Sequence, residues 1–323
     1  MNFGLRFRTV AAVAGTCVLL TNACAPLKPK PGPSVPKQSV DPTVRLQIFL
    51  DSKNFGPGVV DGRGGEFTSK ALDQYRQANG LAPDWQPDVS DIQPYTTYTV
   101  TADDVGRIGT MADGPAALAK QEKLPYTSLI ELLSERFHTT QKFLRSLNPG
   151  KDINSLGPGG DLIVPDIARP LRVDGFPSTY PPPRAGVAAK RKVIVDTKYR
   201  MLQVLEGGEV IAAFPITPGS SAHPALPGEL RVVGAVPWPW YRHDEGVLDR
   251  GERTGDFHNL PPGSNSPVGL LWTGLNRPGV GIHGTTTPDT IGRAGSHGCI
   301  RLSNWDAAAF YTLVQKDMPV TIR

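Results

Sequence analysis

The sequence is poor in cysteine, with three in 323 residues. Cys17 and Cys24 lie close to the N terminus, and Cys299 lies close to the C terminus. This excludes a scaffold held together by several disulfides. If export removes Cys17 and modifies Cys24, Cys299 is the one thiol of the mature protein. An exported protein that keeps such a thiol either buries it as inert core or uses it for chemistry.

Blocks of like charge are also missing. The formal net charge is only +4, and lysine and arginine are scattered along the chain. Because a nucleic-acid interface needs a basic stripe or patch, we predict no nucleic-acid partner. Proline (32) and glycine (35) are abundant instead, which indicates loops and linkers, and the length favours about two or three domains.

No apolar run near the N terminus is long enough to span a bilayer. The run Val10–Leu20 follows Arg6 and Arg8, a pattern typical of an export signal. Its end, Leu20-Thr21-Asn22-Ala23-Cys24, resembles the lipobox of bacterial lipoproteins, with the leucine one place further from the cysteine than usual. The resemblance implies lipidation of Cys24; the alternative is ordinary signal-peptidase cleavage. We predict a signal over residues 1–24 and a periplasmic or cell-envelope protein that contacts the membrane only through its lipid.

The next segments predict a tether and a small helical module. Residues 25–42 are rich in proline and lysine and lack apolar periodicity, as in a tether. Apolar residues then recur at helical spacing from Leu46 to Leu50, and Thr68 is a candidate N-cap for a second helix. Residues 43–82 resemble a helical peptidoglycan-binding domain; the alternative is a purely structural helix pair. The resemblance depends on Leu46-Gln47, Val60-Asp61-Gly62, Phe67-Thr68 and Asn79-Gly80-Leu81.

A second module is predicted over residues 95–168. A short strand at Tyr98–Val100, two helical stretches and a closing strand at Asp161–Pro165 resemble a LysM glycan-binding fold. The sequence departs from that fold by about 25 residues between Ala102 and Tyr126. The alternative is a spacer without binding activity, and a Pro-rich linker over residues 169–189 follows. The resemblance depends on Leu129, Phe137, Leu144, Leu147-Asn148-Pro149 and Gly159-Gly160.

Residues 190–323 change to strand patterns. Short polar turns separate the apolar runs, which predicts a meander. Ser303 and Asp306 resemble a capping box before a helix at Ala307–Val314. The aromatic run Pro237–Tyr241 is either a lid over a cleft or packing beneath a loop. The fold class predicted is multidomain: a mainly β, sandwich-like C-terminal domain with a short terminal helix, after a small α-helical and an α+β module. The predicted strands are Val193–Val195, Met201–Leu205, Val210–Ile216, Leu230–Val236 and Val320–Ile322.

One stretch of about twenty residues in this domain contains two histidines, a thiol and an arginine. They lie in Gly281-Ile282-His283-Gly284-Thr285 and Ser296-His297-Gly298-Cys299-Ile300-Arg301. A thiol is mostly protonated at neutral pH, so nucleophilic catalysis needs an imidazole that takes its proton. Gly298 permits a tight turn with free N–H groups, as an oxyanion hole requires. The alternatives are an inert core cysteine and a zinc site. The zinc ligands would be His283, His297 and Cys299, with His243 or His258 as the fourth; we predict no metal and no cofactor.

These motifs resemble the catalytic domain of L,D-transpeptidases, the YkuD-like family. The preceding segment Pro262–Gly269 adds to the resemblance, although it has Ser266-Pro267-Val268-Gly269 where many members have Asn-Pro-Leu-Gly. The resemblance implies that Cys299 is the nucleophile and His283 the general base. It also implies that the Gly284 carbonyl orients the imidazole, as the acid does in a Ser-His-Asp triad.

The same resemblance implies further roles around the nucleophile. The N–H groups of His297, Gly298 and Cys299 would form an oxyanion hole. Arg301 would bind a substrate carboxylate or steady the site, which suits its planar, permanently charged donors. Ser296 and Thr285 are the remaining substrate-binding candidates.

The implied enzyme is a cysteine acyltransferase of the cell wall. Cys299 would attack the third residue of a stem tetrapeptide, expel the terminal D-Ala and form an acyl-thioenzyme. An amine would resolve it, giving a 3-3 crosslink or linking a protein to the wall; with water the enzyme is an L,D-carboxypeptidase. A third hypothesis is a non-catalytic wall-binding scaffold. The implied partners are peptidoglycan stem peptides and glycan strands, with carbapenem-type compounds as inhibitors.

Overall fold

The structure is a computed structural model that describes residues 41–183, 186, 189–219, 223–250, 252–293 and 298–323. The predicted signal with Cys24, and nearly all of the predicted tether, lie outside these residues. No helix in the described part of the chain has both the length and the apolar character needed to cross a membrane.

Two helices open the described chain, α1 (Pro42–Ser52) and α2 (Glu66–Ala78). Pro42 occupies the first position of α1, where its missing N–H leaves no hydrogen bond unmade. The N-cap of α2 is Gly65, so the prediction that Thr68 caps this helix is wrong. Thr68 lies buried in the first turn, and its hydroxyl donates to the Pro57 carbonyl oxygen at 3.4 Å. The hydroxyl is therefore used to join the helix to the preceding loop.

The second module contains an antiparallel strand pair and four helices. β1 (Tyr95–Thr99) pairs with β2 (Asp161–Pro165), with Tyr95 opposite Pro165. β2 has the predicted bounds, whereas β1 begins three residues earlier than predicted because its register with β2 starts at Tyr95. The helices between them are α3 (Ala102–Gly106), α4 (Pro115–Leu118), α5 (Leu129–Arg136) and α6 (Gln141–Leu147), and 3-10 turns follow at Ile153–Ser155 and Val173–Gly175.

The C-terminal domain is mainly β, as predicted. Its one longer helix, α8, begins directly after Ser303, whose hydroxyl accepts from the Asp306 N–H at 3.1 Å. It therefore begins and ends three residues before the predicted bounds. The strands are β3 (Arg191–Asp196), β4 (Met201–Glu206), β5 (Glu209–Pro215), β6 (Thr217–Pro218), β7 (Gly228–Pro237), β8 (Tyr241–His243), β9 (His258–Leu260), β10 (Leu271–Leu275), β11 (Gly281–His283), β12 (Ile300–Arg301) and β13 (Pro319–Ile322); the helices are α7 (Glu245–Arg250) and α8 (Asn304–Tyr311), with a 3-10 turn at Pro288–Thr290.

Among the described residues, nine of these strands form one sheet in the order β5-β4-β3-β13-β7-β10-β11-β12-β6. The pairs β3–β13 and β11–β12 are parallel, and the other neighbours are antiparallel. β7 is long enough to pair with β13 through its first residues and with β10 through its last ones. β8 and β9 form a separate hairpin.

The helical module packs on the open edge of this sheet. Leu50, Phe55 and Leu72 share a buried cluster with Met201 of β4 and Ala213 of β5. The loop after α1 also pairs with β5. The Gly56 N–H donates to the Ala213 carbonyl oxygen at 2.8 Å, and the Ala213 N–H donates to the Asn54 carbonyl oxygen at 2.9 Å. The loop thus satisfies part of an edge that would otherwise attract another strand.

The second module shares the main hydrophobic core with the C-terminal domain. The long stretch between β1 and α5, which departs from the LysM pattern, makes part of this junction. The Leu124 N–H donates to the Pro262 carbonyl oxygen at 3.0 Å, and the Asn265 N–H donates to the Leu124 carbonyl oxygen at the same distance. The extra residues therefore dock on the Pro262–Gly269 loop, and α4 lies against β9.

Candidate active site

His283 ends β11 in the interior of the sheet. Its side chain is 5% exposed, and Nδ1 lies 2.7 Å from the Gly284 carbonyl oxygen. A carbonyl oxygen can only accept, so Nδ1 carries the proton and Nε2 keeps a lone pair. Burial lowers the pKa of His283 to about 4; the Gly284 carbonyl opposes this shift, and the charge of Arg301 adds to it. The imidazole is therefore neutral at neutral pH, as a general base must be.

Cys299 lies one residue before β12, and the register of that strand places it beside β11. Ile300 is the partner of Ile282, and Arg301 is the partner of His283. Side chains alternate along strands, and residues paired in a parallel ladder point to the same face. The thiol and the imidazole therefore share one face of the sheet.

The half-buried thiol of Cys299 is protonated at rest. Sγ donates to the Gly279 carbonyl oxygen at 3.3 Å, in the turn before β11. Burial raises the pKa of the Cys299 thiol, and a hydrogen bond from the Gly281 backbone opposes the shift. A base must therefore remove the proton when the thiol reacts, because the free thiolate is scarce.

Arg301 provides the positive charge of the site. It is half-buried, and burial lowers the pKa of its guanidinium from a value so high that the group remains charged. Its position opposite His283 explains why it lowers the pKa of that imidazole. A substrate carboxylate would find both charge and planar N–H donors here.

Trp272 covers His283 from the neighbouring strand and was not predicted from the sequence. In β10 it is the register partner of His283, and the two rings stack with centroids 5.4 Å apart at 18°. A β-carbon added to Gly281 would lie 2.5 Å from the Trp272 ring, so the indole also fills the space above this glycine. A tryptophan in a strand gives no sequence signal for this role, since the pairing of β10 with β11 is what brings it to the site.

The glycine before Cys299 has the backbone that the motif predicts. Gly298 has φ +88°, a left-handed conformation that residues with a side chain seldom adopt. Thr285 is 2% exposed, and its hydroxyl accepts from the Thr287 N–H at 3.3 Å within a local turn. Ser296 and His297 lie outside the described residues, so substrate binding by Ser296 and Thr285, and the His297 part of the oxyanion hole, remain predictions.

In the aromatic run Pro237–Tyr241, the packing alternative holds for Trp238, whereas a lid over the cleft stays a prediction. Trp238 packs inward, with its indole N–H donating to the Phe176 carbonyl oxygen at 3.1 Å. Trp240 is 64% exposed. Burial raises the pKa of Tyr241, and the nearby titratable groups of Cys299 and Asp244 raise it further, so this phenol lies in the neighbourhood of the thiol. The β8–β9 hairpin therefore lies near the site.

The histidines considered as further zinc ligands lie in this hairpin. His243 and His258 face each other as register partners of β8 and β9. Within the described ranges, no three His, Cys, Asp or Glu side chains come together in a way that could hold a metal ion.

A family model of the L,D-transpeptidase catalytic domain (YkuD) matches residues 190–322. The C-terminal domain is YkuD-like. The match includes both halves of the site, His283 on β11 and Cys299 before β12. Residues before 190 lie outside it.

Individual relatives agree with this match. The chain is 26% identical to YkuD of Bacillus licheniformis over 193 residues, which are 60% of this chain and 92% of the relative. This match is longer than the chain from residue 190 to its end, so it extends into the residues before the YkuD-like domain. With YkuD of Bacillus subtilis the identity is 39% over 71 residues, 21% of this chain and 43% of the relative.

The solved structures that resemble the chain include an L,D-transpeptidase from Mycobacterium smegmatis. The identity is 21% and the TM-score 0.34, over 42% of this chain and 58% of that one. The chain thus spans less than two thirds of that structure.

Proposed function

We propose that this protein is an L,D-transpeptidase that acts on peptidoglycan stem peptides through an acyl-enzyme on Cys299. The observation that supports this best is the parallel pairing of β11 with β12, which sets Cys299 and His283 on one face. The hydrogen bond from His283 Nδ1 to Gly284 leaves Nε2 as the base. The YkuD-like match of residues 190–322 supports the same reaction.

In the first half-reaction His283 Nε2 takes the thiol proton and Sγ attacks the carbonyl carbon of the donor peptide. The negative charge that develops on the carbonyl oxygen would be stabilised by backbone N–H groups at Gly298 and Cys299. When the C–N bond breaks, His283 returns the proton to the departing amine of D-Ala. The product is a thioester on Cys299. Arg301 would hold a carboxylate of the substrate near the thiol.

In the second half-reaction an acceptor amine attacks the thioester. His283 takes the amine proton and returns it to Sγ, so the enzyme is regenerated with an amide bond formed in the product. An amine from another stem peptide gives a 3-3 crosslink. Water in its place releases a tripeptide and makes the protein an L,D-carboxypeptidase.

Purified protein incubated with disaccharide-tetrapeptides separates these outcomes by mass spectrometry. We expect crosslinked dimers with loss of D-Ala, and no reaction for Cys299→Ala. Tripeptide alone would assign hydrolysis. No change with wild-type protein, under conditions in which it is folded, would leave the wall-binding scaffold as the function.

We also propose that the protein is exported and that Cys24 is lipidated, with cleavage of the signal directly before this residue. The lipobox-like sequence supports this, and a single acyl chain would anchor the protein only weakly. Labelled fatty acid should enter the wild type and not Cys24→Ala. Equal labelling of both would contradict lipidation at this residue.

The helical module and the second module are proposed to contact the wall. A weak contact would raise the effective concentration of the YkuD-like domain near an immobile substrate. We expect the exported chain carrying Cys299→Ala to co-sediment with purified sacculi. Failure to sediment at low salt would assign both modules a structural role.

A further inference from the structure

Glu135 brings a carboxylate from the second module into the interior of the YkuD-like domain. It lies on α5 and is 5% exposed. Oε2 accepts from the Tyr126 hydroxyl, and Oε1 accepts from Asn304 Nδ2 at 2.7 Å. Asn304 is fully buried and is the first residue of α8, in the other domain. Both carboxylate oxygens thus have partners, as a buried acid requires.

Asn304 in turn packs against two glycines beside the catalytic site. Its Oδ1 accepts from the Leu270 N–H at 3.0 Å, which fixes the amide so that Nδ2 faces Glu135. A β-carbon on Gly284 would lie 1.9 Å from Oδ1, and one on Gly269 would lie 2.1 Å from it. The amide therefore occupies the space that side chains at these positions would need.

Gly284 is the residue whose carbonyl oxygen holds His283 Nδ1 at 2.7 Å. A residue that fixes the Gly284 peptide also fixes the imidazole. Asn304 lies against that peptide, and Glu135 holds Asn304, so contacts run without interruption from the second module to His283. The Tyr126 hydroxyl fixes the other carboxylate oxygen, and the Ser264 hydroxyl faces the same phenol.

We propose that Glu135 is a positioning residue for His283: by holding the Asn304 amide, it fixes the Gly284 carbonyl and thereby keeps the imidazole in its Nδ1–H tautomer. The second module would then complete the active site from behind, in addition to any contact with the wall. The kinetic consequence rests on the proposed function, whereas the effect on the tautomer does not.

The cost of burying this acid supports a role beyond packing. Burial raises the pKa of Glu135 to about 7, although the Tyr126 and Asn304 hydrogen bonds oppose the shift. Replacing buried charged groups by well-packed apolar side chains is often neutral or stabilising. A directional acceptor for Asn304 Nδ2 is what the carboxylate provides and an apolar side chain does not.

Glu135→Ala and Glu135→Gln separate positioning from packing. Alanine removes the acceptor of Asn304 Nδ2, so the amide can turn and the Gly284 peptide is released. Glutamine keeps it, because its oxygen can accept from Asn304 while its amide donates to the Tyr126 oxygen. We expect Glu135→Ala to slow acylation of Cys299 by a carbapenem at saturation by about 10- to 100-fold, as a misplaced catalytic group does. The dissociation constant should change little, and Glu135→Gln should stay within about threefold of wild type.

The tautomer of His283 is measured without any substrate. In ¹⁵N-histidine-labelled full-length protein, two-bond ¹H–¹⁵N spectra assign the ring proton, with His283→Gln identifying the signal. We expect Nδ1–H in wild type and Glu135→Gln, and a mixture of tautomers in Glu135→Ala. If the proposed function fails, no variant is acylated, but this spectrum still tests the positioning.

Asn304→Asp provides a second variant if Glu135→Ala does not fold. This substitution would place a second carboxylate against that of Glu135, so we expect slow acylation of Cys299 and a mixture of His283 tautomers. Adding Glu135→Gln to Asn304→Asp should restore the acylation rate and the Nδ1–H tautomer, because the glutamine amide can donate to the aspartate carboxylate. The proposal is overturned if folded Glu135→Ala keeps both the wild-type rate and the Nδ1–H tautomer, if Glu135→Gln is impaired as much as Glu135→Ala, or if the double variant is no better than Asn304→Asp.

Discussion

At the scale of single residues, the chemistry of the site depends on how each group is held. Without its surroundings, the imidazole of His283 would be half-protonated near pH 6.5 and free to exchange tautomers. The hydrogen bond to the Gly284 carbonyl fixes the tautomer. Burial, together with the nearby Arg301, keeps the imidazole unprotonated at neutral pH. The thiol of Cys299 is likewise kept protonated by burial. The resting pair is therefore neutral, and in the proposed mechanism the thiol would react by passing its proton to the imidazole.

Acylation by a carbapenem tests the assignment of nucleophile and base. A strained lactam carbonyl makes the same demand on the thiol as the scissile amide, so we expect one adduct by intact mass. Cys299→Ala should abolish it, and His283→Ala should slow it by roughly two to four orders of magnitude. Cys299→Ser should be nearly inactive because its hydroxyl is far less acidic. An adduct on Cys299→Ala, or an unchanged rate for His283→Ala, would contradict the assignment.

The low pKa of His283 predicts the acid side of the pH profile. A base that protonates only near pH 4 remains neutral at pH 5, so the acylation rate should be nearly constant from pH 7 to pH 5. It should then fall about tenfold per pH unit below the pKa. The rate is measured by stopped-flow over the range in which circular dichroism shows a folded protein. A fall centred near pH 6.5 would mean that the imidazole is solvated.

At the scale of elements, three neighbouring strands assemble the site. β12 supplies Arg301 and, just before it, Cys299, while β11 supplies His283 and β10 supplies Trp272. A shift of one residue in either pairing would turn a side chain to the other face. Register is therefore as important to the chemistry as residue identity.

Gly281→Ala tests the packing of β10 on β11. The new carbon would lie 2.5 Å from the Trp272 ring, which is already stacked on His283, so the ring must move. We expect the free energy of unfolding to fall by about 1 to 3 kcal/mol, and acylation to slow with it. Chemical denaturation measures the free energy of unfolding.

Gly234→Ala in β7 is the matched control for this strand substitution. Its new carbon would meet nothing within 4 Å, so its unfolding free energy should change by about 0.5 kcal/mol or less. Equal loss of stability in the two variants would mean that Trp272 does not restrict the site.

At the scale of the whole molecule, the upstream modules and the YkuD-like domain share their cores. The helical module completes the cluster around Met201 and Ala213, and the second module packs on the loop at Pro262. The upstream modules and the YkuD-like domain are therefore one folded body over most of the described chain. The tether predicted over residues 25–42 precedes this body.

Removing the upstream modules should therefore destabilise the catalytic part. A chain that begins at residue 190 would expose the β5 edge and the apolar side chains beneath both modules. We expect its thermal midpoint to fall by about 10 °C or more, or the chain to aggregate. A chain that begins at residue 41 keeps every described contact, so its thermal midpoint should equal that of the mature protein. Equal midpoints for the two truncated chains would mean that the shared core adds little.

Local patterns allowed much of this protein to be predicted. Strands β3, β4, β5 and β2 follow from apolar runs between turn residues, because alternation and turn chemistry act over a few positions. The candidate nucleophile Cys299 and the candidate base His283 were likewise predicted from short motifs, and their roles remain predictions. Helix bounds were less certain, as Thr68 shows, because tertiary contacts use its hydroxyl.

The sequence by itself determined which residues are candidates for the chemistry, and only the tertiary structure decided which residues surround them. Trp272 and Glu135 carry no motif, because stacking and buried hydrogen bonds depend on partners that are distant along the chain. Asn304 and Glu135 are separated by 169 positions and lie in different modules. Such a contact exists only after sheet order, register and domain packing are set, and those come from the whole core rather than from any local pattern.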